Sequence, residues 1–212
     1  SIYEKNEWGR VDGEDFFSGQ GSHIKEIVDN YVSAITNWVK SLDNKLNALD
    51  LGCGDFHIGS KIRHLFDSYI ACDIVPELIH YNSEKFANFS VDFIVSDLSK
   101  DDLPESDVII VRQVLQHLSN EEILNFLSRI KNRYYYLIFT DHVSNDENFA
   151  ENIDLLTGPN IRLEFGGKGL DLTKAPFNLR FIAKEIISEV STPNVAPPPH
   201  GSTIKTIVYR LK

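Results

Sequence analysis

The stretch Asp50-Leu51-Gly52-Cys53-Gly54-Asp55 sets two glycines directly after an apolar run and flanks them with carboxylates. Glycine lacks a Cβ and tolerates positive φ, so such a turn lets the backbone come close to a ligand. Binding a pyrophosphate there requires G-x-G-x-x-G, with the anionic phosphates at the start of the following helix. Here His57 stands at the third glycine position, and Asp55 puts a negative charge at the helix start. That arrangement disfavours a nicotinamide or flavin dinucleotide and suits an adenosine cofactor carrying positive charge. Two further carboxylates extend the pattern. Asp73 lies 19 positions after Gly54, where it can accept hydrogen bonds from both hydroxyls of a ribose, and Asp97 ends the next apolar run, within reach of an adenine edge. Asp50 can face a sulfonium or an amino group. Singly, each reads more readily as a solvated strand end or a helix cap than as a ligand contact. Together, at one edge of a sheet, they point to a ligand.

A second set of residues falls later in the chain. Arg112 closes an otherwise apolar run and needs an anionic partner, either a substrate or, structurally, Asp141 or Asp97. His117 has the ordinary histidine pKa near 6.5 that suits proton removal at neutral pH, and equally suits a satisfied helix-start histidine. Asp141-His142 forms another acid/base candidate if the carboxylate orients the imidazole. Arg162, Lys168 and Lys174 follow in a glycine-rich segment, where they read either as a mobile clamp on a phosphate or carboxylate or as scattered solvated charges. His23, His57, His64 and His80 show no grouping of the H-E-x-x-H kind, so no metal is expected. Cys53 and Cys72 are too few for a disulfide scaffold and read as small apolar residues.

These residues need a scaffold, and the pattern from Ala48 onward supplies one. Apolar β-rich runs alternate with amphipathic segments, as in a parallel sheet covered by helices. Strands are expected at Ala48–Leu51 and over "SYIACDI", "VDFIVSD", "DVIIVR" and "YYYLIFTD". Helices are expected from Ile58 to Leu65, over "PELIHYNSEKF" behind Pro76, and over "SNEEILNFLSRIK", capped by Ser119 with Glu122 three residues on. Residues 143–176 carry no sustained period, and a loop of that length inside a compact domain is usually functional. "LRFIAKEIISEV" and "TIKTIVYRLK" read as an antiparallel edge hairpin around a proline-rich connection. The fold class expected is therefore α/β: a doubly wound, Rossmann-like, mostly parallel seven-stranded sheet with an antiparallel C-terminal hairpin, in a single domain. Ahead of it, "EIVDNYVSAITNWV" has helical spacing, with Tyr31 and Trp38 expected in the core.

With 212 residues, 42% hydrophobic and 25% charged, the composition is that of a soluble globular protein. A net charge of −10 opposes binding to a phosphate backbone, so nucleic acid is not an expected partner. No apolar run approaches the roughly 18 to 20 residues of a membrane span, and no secretory signal is visible, which makes the cytoplasm the expected location. Oligomeric state is left open.

With its acidic-apolar-Gly-x-Gly turn and the carboxylates Asp73 and Asp97 in order, the segment from Leu46 to Asp141 resembles the class I S-adenosylmethionine-dependent methyltransferases. The resemblance implies Gly52 and Gly54 beside the methionine part of the cofactor, Asp73 with Ile74 at the ribose, Asp97 with Leu98 at the adenine, and Arg112 near the cofactor. Asp55 and Phe56 depart from the further glycine that many members have. "WGRVDGEDFFSGQGS", "LGCGDF", "VRQVLQHLS" and "GLDLTKAPFNL" are similar to a bacterial small-molecule subgroup that includes O-methyl phosphoramidate capsule methyltransferases. That narrower likeness implies an arm and helix over residues 1–45, with Trp8, Gly21 and Ser22 closing over the cofactor, ahead of a core at 46–212. It also implies a small acceptor, anionic or sugar-linked, in surface-polysaccharide modification. His117, Arg112, His142 and Asp141 are the catalytic candidates. The alternatives are an NAD(P)-dependent oxidoreductase on the same fold and a non-catalytic cofactor-binding domain.

Overall fold

The computed structural model describes residues 16–192 and 201–212. Seven strands among them form one mixed sheet in the order β3-β2-β1-β4-β5-β7-β6. They are β1 Ala48–Leu51, β2 Tyr69–Asp73, β3 Asp92–Val95, β4 Val108–Arg112, β5 Tyr136–Ser144, β6 Ala183–Ser191 and β7 Ser202–Arg210. Four α-helices accompany them: α1 Lys25–Lys40, α2 His57–Ile62, α3 Pro76–Lys85 and α4 Asn120–Ile130. The expected α/β sheet with its antiparallel C-terminal pair is the observed one. Its residues divide between Ile110 and Val111 into two compact units. Trp8 lies outside the described residues.

In the first unit, β1 pairs in parallel with β2, and β2 with β3. Every residue of β1 is buried, which explains why its sequence shows no alternation. The helix α1 buries Ile27, Val28, Tyr31, Ile35, Trp38 and Val39, a stripe at helical spacing that places Tyr31 and Trp38 in the core as expected. Pro76 opens α3 at a first-turn position, where its missing N–H costs nothing.

Phe56 was not foreseen as a structural element. It caps α2 in the left-handed region, at φ 59, which costs a non-glycine residue about 1 kcal/mol or more. Its ring offsets that cost. It is fully buried, with ring centroids 5.0 Å from Phe93, 5.1 Å from Phe86 and 5.8 Å from Tyr69, all at steep angles. A Cβ on Gly59 would stand 2.2 Å from this ring, so the helix must carry glycine there.

In the second unit, β5 and β6 both pair antiparallel with β7, and the β6 ladder shifts register between Ile186 and Ser188. The capping box foreseen at Ser119 is present. Its N–H donates to Glu122 Oε2 at 3.1 Å, and its hydroxyl accepts the Glu122 N–H at 3.3 Å. The β5 strand runs three residues past Asp141, so His142 belongs to the strand and not to a following loop.

The segment between β5 and β6 is not the mobile clamp that its composition suggests. Arg162 is 1% exposed and the bulkiest of the fully buried side chains. Its Nε donates to the Ile153 carbonyl at 2.8 Å, Nη1 to those of Leu115 and Gln116 at 3.3 and 3.1 Å, and Nη2 to the Leu118 carbonyl and Asn120 Oδ1 at 2.8 and 2.9 Å. The Gly158 N–H donates to the His117 carbonyl at 3.0 Å, and Thr157 and Asp154 receive the amides of Ser119 and Asn120. These bonds staple residues 152–162 to the end of the β4–α4 connection.

Candidate active site

The turn after β1 is built by backbone geometry that its neighbours hold. Gly52 and Gly54 take φ values of 75 and 55, and the N–H groups of Gly52 and Cys53 both donate to the Cys72 carbonyl, at 2.8 and 2.9 Å. The Gly54 peptide is fixed on both sides: its N–H donates to Asp73 Oδ2 at 3.1 Å, and its carbonyl accepts from Asn82 Nδ2 at 2.7 Å. Asn82 is fully buried in α3, a contact that no local pattern in the sequence marks.

Asp73 ends β2 in a buried position, and its Oδ1 also accepts the Val75 N–H at 3.2 Å. Burial pushes its carboxyl above the ordinary value, against the pull of the Gly54, Val75 and Ile74 amides. A carboxylate has about four lone-pair sites, so at least one of them stays available to a ligand. Ile74, beside it, is 59% exposed, an apolar face unusual for an isoleucine at a strand end. Asp50 is buried and accepts the Tyr69 hydroxyl at 2.8 Å. Asp97 commits its oxygens locally: Oδ1 takes the Ser99 amide and hydroxyl at 2.9 and 2.6 Å, and Oδ2 takes Lys100 Nζ at 2.9 Å. Burial alone would raise its carboxyl, but Ser99 and Lys100 more than offset that and hold it below the ordinary value. Leu98 is buried next to it, and the neighbouring Ser96 hydroxyl is buried with no partner among the described residues.

Gly21 and Ser22 fall in a 3-10 turn, Gln20–Ser22, ahead of α1. The resemblance gave this segment its place, and the structure adds what holds it: Ser18 and His23, at its two ends, both bond to Asp55. Asp55 therefore does more than deter a phosphate.

In the second unit, Arg112 ends β4 and is half-buried. His117 closes the 3-10 turn Leu115–His117, with Gln116 Nε2 3.2 Å from its Nε2. Burial lowers its pKa to about 4, against the pull of the Asn160, Gly158 and Pro159 carbonyls. His142 is buried, with Nε2 2.9 Å from Thr192 Oγ1 and 2.7 Å from Ser202 Oγ, and burial lowers it to about 4 as well. Both imidazoles are neutral at neutral pH. Asp141 does not orient His142, because successive strand residues face opposite sides. Its Oδ2 instead accepts the Leu170 N–H at 2.7 Å. Asp141 is 2% exposed, and its Oδ1 makes no hydrogen bond of normal geometry among the described residues. Burial pushes the carboxyl up to about 7, while the Leu170 and His142 amides and the Arg162 charge pull it back. Of the expected cationic clamp, Arg162 is committed to carbonyls, and Lys174 pairs with Glu151 at 2.5 Å and Asp171 at 3.7 Å. No cluster of His, Cys, Asp or Glu among the described residues is placed to hold a metal ion.

Residues 48–133, from β1 past α4, match the family model of a methyltransferase domain. Over that segment the chain is similar to S-adenosylmethionine-dependent methyltransferase domains. No curated protein sequence matches it. Among solved structures, it is similar to the N-methyltransferase NodS from Bradyrhizobium japonicum WM9 in complex with S-adenosylhomocysteine. That likeness has 12% identity, 91% of each chain covered and a TM-score of 0.63. The methyltransferase domain of bacterial CtHen1 gives 17% identity, 86% of this chain and 98% of that one, at TM-score 0.59. The bifunctional kinase-methyltransferase WbdD gives 17% identity over 96% of this chain but 43% of its own, at TM-score 0.59, so this chain spans less than half of that protein. At such identities the likeness is one of fold.

The residues present fit the cofactor of this methyltransferase class on structural grounds. Two glycines turn the chain at positive φ without side chains, a buried carboxylate keeps lone-pair capacity at the end of β2, an exposed isoleucine adjoins it, and a serine hydroxyl with no partner among the described residues follows β3. No helix among the described residues is long and apolar enough to cross a membrane.

Proposed function

We propose that this methyltransferase domain methylates an oxygen of a small polar acceptor, with Asp141 receiving the acceptor's proton. The observation that carries the proposal is Asp141 itself: a buried carboxyl raised to about 7, with one oxygen that makes no hydrogen bond of normal geometry among the described residues. A general base works best when its pKa lies near the working pH. His117 and His142, each lowered to about 4, are poorer bases there.

The cofactor supplies an electrophilic methyl group on a sulfonium sulfur, transferred by in-line displacement. Gly52 and Gly54 offer backbone to its methionine part, Asp73 accepts the ribose hydroxyls, Ile74 and Leu98 give apolar contact to the adenosine, and Asp50 faces the positive end. Of the other cofactor candidates, Asp97 serves through its backbone, since its carboxylate is engaged by Ser99 and Lys100. The chain's own task is to orient the acceptor, exclude water and take one proton per turnover as the new carbon–oxygen bond forms. Arg112 and His117 orient the acceptor, and His142 supports β5 from its other face.

The commitment of Arg162 and Lys174 to partners within the chain favours a hydroxyl of a sugar-linked acceptor over a strongly anionic one. The similarity of "VRQVLQHLS" and "GLDLTKAPFNL" to the capsule-associated subgroup supports surface-polysaccharide modification as the setting, and the cytoplasm as the place. The test pairs calorimetry of S-adenosylhomocysteine binding with methyl-transfer assays over sugar and sugar-phosphate acceptors, for the unaltered chain and for Asp141→Asn. Binding with turnover on a hydroxyl acceptor, lost in Asp141→Asn with affinity for the product retained, is the expected result. Undiminished turnover in the variant removes Asp141 from the reaction, and binding without turnover on any acceptor favours a non-catalytic domain.

A further inference from the structure

Asp55 follows the glycine turn directly, and it is 7% exposed. Its Oδ1 accepts the His57 N–H at 3.0 Å at the start of α2. Its Oδ2 accepts the Ser18 N–H at 3.0 Å and lies 2.6 Å from His23 Nε2, while the Asp55 N–H donates to Ser18 Oγ at 2.6 Å. The His23 ring stacks between Phe17 and His57, with centroids 4.6 Å away on either side. Residues Gly19 to Ser22 thus form a short arch whose two feet, Ser18 and His23, are tied to one carboxylate. Gly19 takes φ 80, and a Cβ built on it would meet nothing within 4 Å among the described residues.

We propose that Asp55 is a positioning residue for the cofactor, fixing the Ser18–His23 arch beside Gly54 so that the arch slows release of the cofactor product. The inference rests on the cofactor lying along Gly52–Gly54. Three hydrogen bonds and two ring stacks converge on this six-residue segment, while a side chain at Gly19 within it would meet no other described residue. A closed arch with bare backbone on its open side restricts an adjacent ligand while leaving room for it.

Three variants test this: Asp55→Asn, His23→Phe, which keeps the stack and removes the ring nitrogen, and the conservative Ser18→Ala. The readouts are the dissociation rate of S-adenosylhomocysteine by stopped flow and its Kd by calorimetry. Asp55→Asn and His23→Phe are each expected to speed dissociation about tenfold, with KM for S-adenosylmethionine rising about tenfold more than kcat falls. The double variant is expected to do no worse than the worse single one, since both remove the same tie. Ser18→Ala, which leaves the fold least disturbed, is expected to give a smaller change in the same direction. Unchanged dissociation in all three, whatever happens to the melting temperature, overturns the proposal. Asp73→Ala separates it from the reading beneath it. If Asp73→Ala weakens binding and the arch variants do not, the arch has no such role. If Asp73→Ala leaves binding intact, the cofactor does not lie on this turn and both readings fail.

Discussion

Replacing Asp141 by Asn keeps the shape of the side chain, removes its charge, and lets Oδ1 of the amide go on accepting the Leu170 N–H. The native carboxyl is raised to about 7 by burial, whereas an unfolded aspartate titrates near about 3.9. The native state therefore holds a proton that the unfolded chain releases, and this group destabilises the fold increasingly as pH rises from about 4 to about 7, after which the loss levels off. About three pKa units at about 1.36 kcal/mol each set an upper limit of about 4 kcal/mol. The Asn amide brings a cost of its own, because its NH2 points where Oδ1 of Asp141 finds no partner, and an unsatisfied buried donor costs about 1–3 kcal/mol. The variant should thus be more stable than the unaltered protein at pH 8 by about 1–3 kcal/mol and less stable at pH 4 by a similar amount. For a chain of this size each kcal/mol moves the melting temperature by about 2–4 °C, so the difference should reverse sign across the range. Thermal unfolding at intervals from pH 4 to 9 reads it directly. A melting-temperature difference that stays constant from pH 5 to pH 8 refutes the raised pKa, and with it the reason for naming Asp141 as the base. Turnover of the variant at pH 8 should fall about 100-fold or more.

Three other outcomes follow from single contacts. Asp73→Ala removes a buried carboxylate that braces Gly54 and offers lone pairs to a ribose, and S-adenosylhomocysteine affinity measured by calorimetry should fall about 10- to 100-fold, the worth of about 1.5–3 kcal/mol for bonds to a charged group. Phe56→Gly relieves the positive φ but empties the space filled by a fully buried ring, so urea unfolding should show a net loss of about 2–4 kcal/mol; no loss would mean that the backbone strain outweighs the packing. Arg162→Met keeps the stem and strips the donors from four carbonyls and Asn120 Oδ1, for a loss of about 3–5 kcal/mol in thermal unfolding, and Arg162→Lys should restore only part of it because an ammonium has three donors and no fork.

Regular elements were legible because their signals are local. The unbroken apolar run of β1, the helical stripe of α1 and the Ser119–Glu122 capping box each occupy a few adjacent residues, and each sits where the pattern puts it. The strand alternation that separates Asp141 from His142 was legible too, had β5 been extended past its aspartate. Three residues were not legible. Asp55 bonds to residues 32 and 37 positions earlier, Asn82 to a carbonyl 28 positions earlier, and Arg162 to carbonyls more than 40 positions away. An arginine in a glycine-rich stretch reads as surface, since arginine is almost never fully buried without partners, and here the partners are backbone oxygens that no sequence pattern records.

The carboxylates differ in how fully the chain occupies them, and that difference separates binding from chemistry. Asp97 is half-buried and accepts two bonds from Ser99 and one from Lys100, and its pKa is lowered. Asp73 is buried and braced by backbone amides on both oxygens, which restrain but do not cancel the rise that burial causes. Asp141 is more deeply buried, has one oxygen bonded and the other without a hydrogen bond of normal geometry among the described residues, and is raised to about 7. A carboxylate stabilised by donors is a good acceptor of ligand hydroxyls and a poor proton acceptor, because each donated bond favours the charged form and lowers its basicity. Deep burial with fewer donors does the reverse. On that ground the glycine-turn carboxylates suit holding a cofactor, and the aspartate of β5 suits taking a proton from its acceptor.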